Sequence, residues 1–282
     1  FSLTGNNFFD IFAKSLGAQS VREIRESVLN GIRGYSWKGT ISTKARETGT
    51  IQTRVYLYPA KPLTKPVSGF IILFDDVTDE NKRFLRSVFL SLLEASKLKD
   101  NDTGNHIERV NLYSRRLAEE VFNKPGYEEV DRDFIDDIGF LASMHDVGKI
   151  GTPDDILNKE GPLTDWEWTI MREHTKNGAF ILSTYPNPMA REIALSHHER
   201  WDGKGYPFQM EGTMIPLSAR IVAIADVYDA MRMRRSYKKS YDHYTAVRKI
   251  QSWRGTHFDP RLLDVFMNIH EEFDGVYSQN ID

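Results

Sequence analysis

The hydrophobic pattern changes period twice along the chain. Residues 1–34 mix Phe and Leu with polar positions, and Ser20–Leu29 has the spacing of an amphipathic helix, stopped by Asn30-Gly31. The period then shortens. Tyr35–Ala45, Thr50–Ala60 and Val67–Phe74 are rich in Thr, Val, Ile and aromatic residues, with breaks at Glu47-Thr48-Gly49 and across Pro62–Pro66. This predicts strands of a small antiparallel sheet joined by hairpin-like gaps. From Asp79 to about Lys99 the apolar residues Phe84, Leu85, Val88, Phe89, Leu92, Leu93, Ala95 and Leu98 return to helical spacing.

From Asp102 onward the pattern is helical almost throughout. Thr103–Asn123, Asp131–Met144, Thr164–Ser183, Met189–Arg200, Pro216–Arg232, Tyr241–Trp253 and Asp259–Glu272 each carry a 3.6-residue stripe and a start signal. Thr164 followed by Glu167 predicts a capping box, and Pro216 suits the opening of a helix. Trp201–Ile215, broken by Gly203, Gly205, Pro207 and Gly212, predicts an irregular loop. The expected architecture is mainly α: a small α+β domain at 1–78, a linker helix at 79–99 and an all-α domain at 100–282. The linker stripe is short for a coiled coil, so a helix packed on its own domain fits it equally well, while its place between domains favours a homodimer contact or a signal-carrying helix.

Composition narrows the classes of function. The chain has 282 residues, 40% of them hydrophobic, and balances 37 basic against 40 acidic residues for a net charge of −3. That is enough apolar material for a real core, and no sign of a surface built for DNA or RNA. Phosphate recognition would have to be local, and Arg232–Lys239 is the dense basic cluster, with Arg232, Arg234, Arg235, Lys238 and Lys239. Zero cysteines excludes disulfides and thiolate metal sites and fits a reducing, cytoplasmic setting. No apolar run approaches the roughly 20 residues of a membrane span; Phe70–Phe74 and Ile221–Ala225 are the longest candidates. The chain begins at Phe1 without methionine, as a processed or truncated sequence would, so absent targeting signals weigh little.

The chemistry concentrates in histidine and aspartate. His145 and Asp146 are adjacent; His174, the pair His197-His198 and Asp226 follow, and His106 lies upstream. Read alone, His145-Asp146 is an ordinary helix end with Gly148 as its stop signal. Asp226, among the apolar residues Ile221–Val227, would read equally well as the partner of a nearby cation such as Arg220. Together, however, the imidazoles and carboxylates suit a borderline cation such as iron, manganese, zinc or nickel. Seven candidate ligands are too many for one tetrahedral ion and about right for two. A two-metal site of this kind activates a water and clamps the oxygens of a phosphoester.

These residues lie in a larger pattern: His145-Asp146-x-Gly148-Lys149, His174, His197-His198-Glu199, Asp202-Gly203-x-Gly205-Tyr206-Pro207, Asp226-x-x-Asp229-Ala230 and Gly255-Thr256-His257-Phe258-Asp259-Pro260. The pattern, from about Asp100 to Phe266, resembles the HD-GYP branch of the HD-domain metallophosphohydrolases, which typically hydrolyse cyclic di-GMP. The resemblance implies a metal-dependent phosphodiesterase that opens cyclic di-GMP to the linear dinucleotide, and on to GMP, through a two-metal centre with a bridging hydroxide. It implies His106, His145, Asp146, His174, His197, His198 and Asp226 as ligands of two divalent ions, iron first, with manganese, nickel or zinc as alternatives. Asp146 would bridge, and Lys149 would stand beside the scissile phosphate.

Gly205, Tyr206 and Pro207, with Arg235 and Lys238, would hold the substrate. Asp102 stands where some members carry a glutamate associated with a third metal, which favours two ions here. Members usually read Arg-Pro-Tyr where this chain has Arg235-Ser236-Tyr237. That departure bears on ligand affinity and keeps open a second reading, a cyclic di-GMP receptor that signals through conformation or a partner. Separately, Gly69–Thr78, ending Asp75-Asp76-Val77-Thr78, resembles the last strand and exit of a PAS sensor domain.

Overall fold

The computed structural model describes residues 21–26, 36–45, 49–60, 69–97, 99, 104–233 and 240–280, and the chain falls into two compact units, 1–88 and 89–282. In the first unit three strands, β1 (Trp37–Ala45), β2 (Gly49–Ala60) and β3 (Gly69–Asp76), form an antiparallel meander in the order β1-β2-β3. Ile41 pairs with Thr53 and Leu57 with Ile72, so the two-residue period puts Ile41, Val55 and Leu57 in the core. Ile24 from helix α1 (21–26) completes that core. Of the helix expected at Ser20–Leu29 only this turn lies within the described residues.

The exit motif caps the next helix, α2 (Thr78–Lys97). Asp76 Oδ1 accepts from the Thr78 backbone N–H at 3.0 Å and from its hydroxyl at 2.6 Å. The Thr78 oxygen in turn accepts from Gln52 N–H of β2 at 2.8 Å, which pins the start of α2 to the sheet of its own unit. The division between the units falls within α2, between Val88 and Phe89.

The second unit is helical: α3 (Gly104–Val121), α4 (Arg132–Leu141), α5 (Asp154–Leu157), α6 (Asp165–Arg172), α7 (His174–Ile181), α8 (Pro188–Ser196), α9 (Leu217–Arg232), α10 (His243–Ser252) and α11 (Pro260–Gln279). Its axis is α9, mostly apolar and buried at eight of the nine positions from Leu217 to Ala225, Arg220 being the exception, as a helix running through a core must be. Around it pack α3, α8, α10 and α11. Their buried faces, such as Val110, Leu117, Ile193, Val247 and Phe266, join one continuous core.

The capping box at Thr164 and the starts at Asp131 and Asp259 fall where the sequence predicts them, while the caps Asn187 and Asp242 lie within two residues of the expected starts Met189 and Tyr241. Asp131, Asn187, Asp242 and Asp259 each accept an N–H of the first turn they precede, and Thr164 with Glu167 forms the full capping box. Two expectations are corrected. Thr164–Ser183 is not one helix but α6 and α7, parted at Glu173. There the His174 ring bonds to the Met171 carbonyl at 2.7 Å and the Thr175 hydroxyl to that of Arg172 at 3.0 Å, so side chains occupy acceptors of the helical ladder. Asp131–Met144 likewise leaves α-geometry at Leu141 and tightens into a 3₁₀ turn at Ala142–Met144. The expected loop Trp201–Ile215 is irregular, with an Asp202–Glu211 bridge and a 3₁₀ turn at Gly212–Met214.

Candidate metal centre

Every imidazole of the site sits at an element end or beside a turn, so that its ring points inward while its backbone stays hydrogen-bonded. His106 lies in the first turn of α3, and His145 and Asp146 join the 3₁₀ turns Ala142–Met144 and Val147–Gly151. His174 opens α7, His197 and His198 follow the end of α8, and Asp226 lies on α9. Gly148 makes the approach feasible. A Cβ there would collide with the His174 carbonyl and with the Gly178 backbone of α7, so only glycine lets Asp146 come this close to His174. Gly148→Ala is therefore expected to cost about 1–3 kcal/mol or more from overpacking against backbone, seen as a lowered melting temperature together with reduced metal binding.

The ligand-capable atoms form two groups, Asp146 with His174, His197 and His198, and His106 with His145 and Asp226; within each, these atoms all lie within 4.8 Å of one another. Asp146 faces both. Its Oδ1 is 3.3 Å from His174 Nε2 and 3.6 Å from His197 Nε2, while Oδ2 is 3.3 Å from His145 Nε2. Asp226 Oδ1 lies 3.8 Å from His106 Nε2 and 3.9 Å from His145 Nε2. Two donors bound to one ion at about 2.1 Å stand roughly 3–3.4 Å apart, so these separations need only small adjustments to close on a cation. The alternative partner for Asp226 is ruled out by geometry: Arg220 reaches Asp259 at 2.6 Å instead.

What the far side of each ring touches fixes its chemistry. The Nδ1 of His145 lies 2.8 Å from the Ala142 carbonyl, that of His174 2.7 Å from Met171, and that of His197 3.1 Å from Ile193. A carbonyl only accepts, so each Nδ1 carries a proton and each Nε2 is the ring nitrogen left to face inward. Accordingly His145 Nε2, His174 Nε2, His197 Nε2 and Asp146 Oδ1 are all buried without a hydrogen-bond partner among the described residues. Four buried ligand-capable atoms without hydrogen-bond partners, converging on one space, are an arrangement that a cation satisfies and that folding alone would avoid.

The electrostatics agree. Burial, reinforced by the neighbouring rings, lowers His174 to about 4 and holds His198 well below the usual histidine range, so both rings are neutral at neutral pH, as a metal ligand must be. For Asp146, burial opposes ionisation, but Lys149 and His145 overcome it and keep the carboxyl well below the usual range. His145 is also opposed by burial, yet Asp146 and Asp226 push it up to about 9. Without metal, a proton there supplies the positive charge that the carboxylates demand, and metal binding would release it.

Lys149 stands on the 3₁₀ turn rather than a helical turn from His145, with Nζ 2.8 Å from Asp146 Oδ2. A cavity lined by Ser96, Lys97, Ile107, Ser143 and Lys149 opens onto His106, His145 and Asp146. On the other side Tyr206 stacks on His198 with ring centroids 4.7 Å apart, and the Arg172 guanidinium lies over its outer face at 5.2 Å. Gly205 lets this loop touch the Glu199–Arg200 backbone, where any Cβ would collide. Of the expected substrate residues Gly205, Tyr206 and Pro207 are thus beside the cluster, whereas Arg235 and Lys238, like Asp102, lie outside the described residues. Arg232, the one residue of the basic cluster within the described residues, bonds Asp274 at 2.5 Å and covers the Tyr277 ring at 4.3 Å.

Three residues without an assigned role in the sequence reading support the site. Asp229, fully buried, bonds His106 Nδ1 at 2.8 Å through Oδ2 and takes Arg109 Nε at 2.8 Å on Oδ1 and Nη2 at 2.9 Å on Oδ2. Burial disfavours its charge, but His106 and Arg109 still lower its pKa, so it is the anion that orients His106. Glu199, also buried, accepts Phe208 N–H at 2.7 Å and Met210 N–H at 3.1 Å, tying the Gly205-Tyr206-Pro207 loop to the histidine pair. The signals available were Glu199 and Asp229 inside the motifs; nothing marked Arg109.

Comparison with known proteins gives a consistent picture. The profile of a family described as "HD domain" matches residues 115–262. A cyclic di-GMP phosphodiesterase of Vibrio cholerae is 38% identical over 244 residues, covering 82% of this chain and 50% of that protein. One from Thermotoga maritima is 38% identical over 242 residues, covering 83% and 64%. A 3'3'-cGAMP-specific phosphodiesterase 2 of V. cholerae is 38% identical over 191 residues, covering 67% and 35%. The chain thus spans between about a third and two thirds of the length of these relatives. The crystal structure of a cyclic GMP-AMP-specific phosphodiesterase of V. cholerae, V-cGAP3, shares the fold, with a TM-score of 0.51 at 21% identity over 68% of this chain and 50% of that one.

Proposed function

The chain belongs to the HD-domain family, and from that premise we propose that it is a metal-dependent phosphodiesterase acting on a cyclic purine dinucleotide, cyclic di-GMP before others. The observation that carries the reading is the set of buried, unpartnered ligand-capable atoms on His145, Asp146, His174 and His197, arranged in two groups around one carboxylate. His106, His145 and Asp226 would hold one divalent ion and His174, His197 and His198 the other, with Asp146 between them. Bound there, the ions would supply an activated water and neutralise charge on the phosphoryl oxygens. Iron is the first choice for a mixed imidazole–carboxylate set, with manganese, nickel or zinc as alternatives.

The chain's own residues do the rest. The backbone-bonded Nδ1 atoms keep the Nε2 lone pairs aimed without reorganisation. Lys149, already beside Asp146, places an ammonium where charge develops on a phosphoryl oxygen. The Tyr206 ring and its hydroxyl border the position of the substrate, and Arg235 and Lys238 are assigned its phosphates. Release of the linear dinucleotide, and then of GMP, is the expected product course.

Lys149→Ala is the sharpest test within this scheme. An ammonium cannot ligate, so the variant should keep its full metal content while turnover of cyclic di-GMP falls roughly 10²–10³-fold. Product chromatography beside metal analysis reads both; normal turnover would remove Lys149 from the mechanism, and loss of metal would make it a structural residue. Wild-type protein with full metal content that binds the dinucleotide tightly and never cleaves it would establish the receptor reading instead. We also assign α2 a dimer contact, because Phe84 and Val88 on its stripe are 68% and 49% exposed; sedimentation of Phe84→Glu protein as a monomer is the expected check. The small N-terminal unit we assign to signal input, on its PAS-like exit strand and helix cap.

A further inference from the structure

A second imidazole–carboxylate cluster lies elsewhere in the helical unit. His243, the first residue of α10, and His270 of α11 bring their rings edge to edge, with His243 Nε2 2.9 Å from His270 Nδ1. Glu271 adds its carboxylate, Oε2 3.8 Å from His243 Nε2 and Oε1 3.8 Å from His270 Nδ1. One ligand-capable atom from each lies within 4.8 Å of the others. None of the three is a motif residue of the metal centre described above.

We propose that His243, His270 and Glu271 form an independent site for a borderline divalent cation, with Zn²⁺ as the ion that fits it. Two nitrogens bound at about 2.1 Å with a right-angle or tetrahedral opening stand roughly 3.0–3.4 Å apart, so the rings already have nearly the separation a shared ion requires. The chemistry of two imidazoles and one carboxylate is that of zinc-class ions, and an exposed third ligand leaves room for water to complete the shell. Glu271 is 63% exposed at its side chain, and His243 only 6%. The Tyr244 hydroxyl, which donates to Glu271 Oε1 at 3.1 Å, already steadies that carboxylate.

The second observation concerns the far side of His243. Its Nδ1 lies 2.9 Å from the hydroxyl oxygen of the buried Tyr228, which also accepts from Arg232 Nη1 at 3.1 Å. A ligating histidine characteristically donates its other ring N–H to such an oxygen, which fixes tautomer and orientation. The proton now shared between His243 Nε2 and His270 Nδ1 would move to a distal ring nitrogen, His243 Nδ1 or His270 Nε2. Both rings then ligate as neutral imidazoles, and no proton is lost from the pair. An ion here would fasten the start of α10 to α11 and, through Tyr228, to the helix that carries Asp226 and Asp229.

The experiment is a zinc count on the full chain. Protein stripped with chelator, re-equilibrated with Zn²⁺ and desalted should hold one ion fewer per chain in His270→Ala than in wild type, whatever the capacity of the other cluster. The Zn²⁺-induced rise in melting temperature should shrink with it. Asp146→Ala protein should still retain this ion, which separates the present site from the proposed phosphodiesterase centre. Glu271→Gln, at an exposed position that cannot disturb folding, should weaken this ion's affinity roughly tenfold or more, and so should Tyr228→Phe, by removing the outer-shell oxygen. Equal zinc counts in wild type and a folded His270→Ala, or unchanged affinity in Glu271→Gln, would overturn the assignment.

Discussion

Asp146→Ala is expected to strip the main cluster of both its ions and to abolish phosphodiester hydrolysis. The reason is geometric: Oδ1 faces His174 and His197 while Oδ2 faces His145, so one side chain serves both groups. Removing an outer-shell partner already costs about 10–100-fold in metal affinity, and loss of a shared ligand should exceed that on both sides. The fold should survive, because Asp226 stays beside His145 and, with the Asp146 anion gone, His145 can give up its proton and remain as a neutral ring. Metal analysis after reconstitution decides it; an Asp146→Ala protein that keeps one tightly held ion would mean that the carboxylate belongs to a single site.

Arg109→Met should give the largest loss of stability at a position remote from the reacting atoms. Arg109 and Asp229 are both fully buried, and the guanidinium also donates to the Asn280 carbonyl at 2.6 Å. Breaking such a pair leaves Asp229 charged in the core without its guanidinium, at a cost of about 3–5 kcal/mol. Urea denaturation measures the loss. Replacing both partners, Arg109→Met with Asp229→Leu, should recover much of the stability, since no buried charge is then left alone. It should not recover metal affinity, because His106 Nδ1 has lost the anion that orients it. Recovery of both would show that Asp229 acts only on folding.

The histidine–aspartate pattern was legible because His145-Asp146, His197-His198 and Asp226 sit in short motifs whose residue types have few other uses together, whereas the isolated His106 and His174 were legible only through that company. So were the helices and their caps, and the sheet, whose period of two survives in Ile41, Val55 and Leu57. What escaped reading depends on long-range pairing. Arg109 looks like any cation on an amphipathic helix, and its partner lies 120 residues away in sequence. His243 and His270 are 27 residues apart, and only the packing of α10 on α11 brings them together. The break between α6 and α7 has no glycine or proline to announce it, because it is made by His174 and Thr175 bonding back to the preceding turn. Gly148 was readable as a helix stop, whereas its real requirement is the closeness of α7, which no local pattern carries.

If the cluster gathered around Asp146 holds the cations with which this chain cleaves a cyclic dinucleotide, hydrolysis of cyclic di-GMP should follow the ions bound per chain in stripped protein reloaded stepwise with iron or manganese. No cleavage is expected in the stripped protein, and the rate should rise only as the second ion binds. Cleavage at an undiminished rate by chelator-treated protein, or none at full loading despite bound dinucleotide, would contradict that role for the cluster.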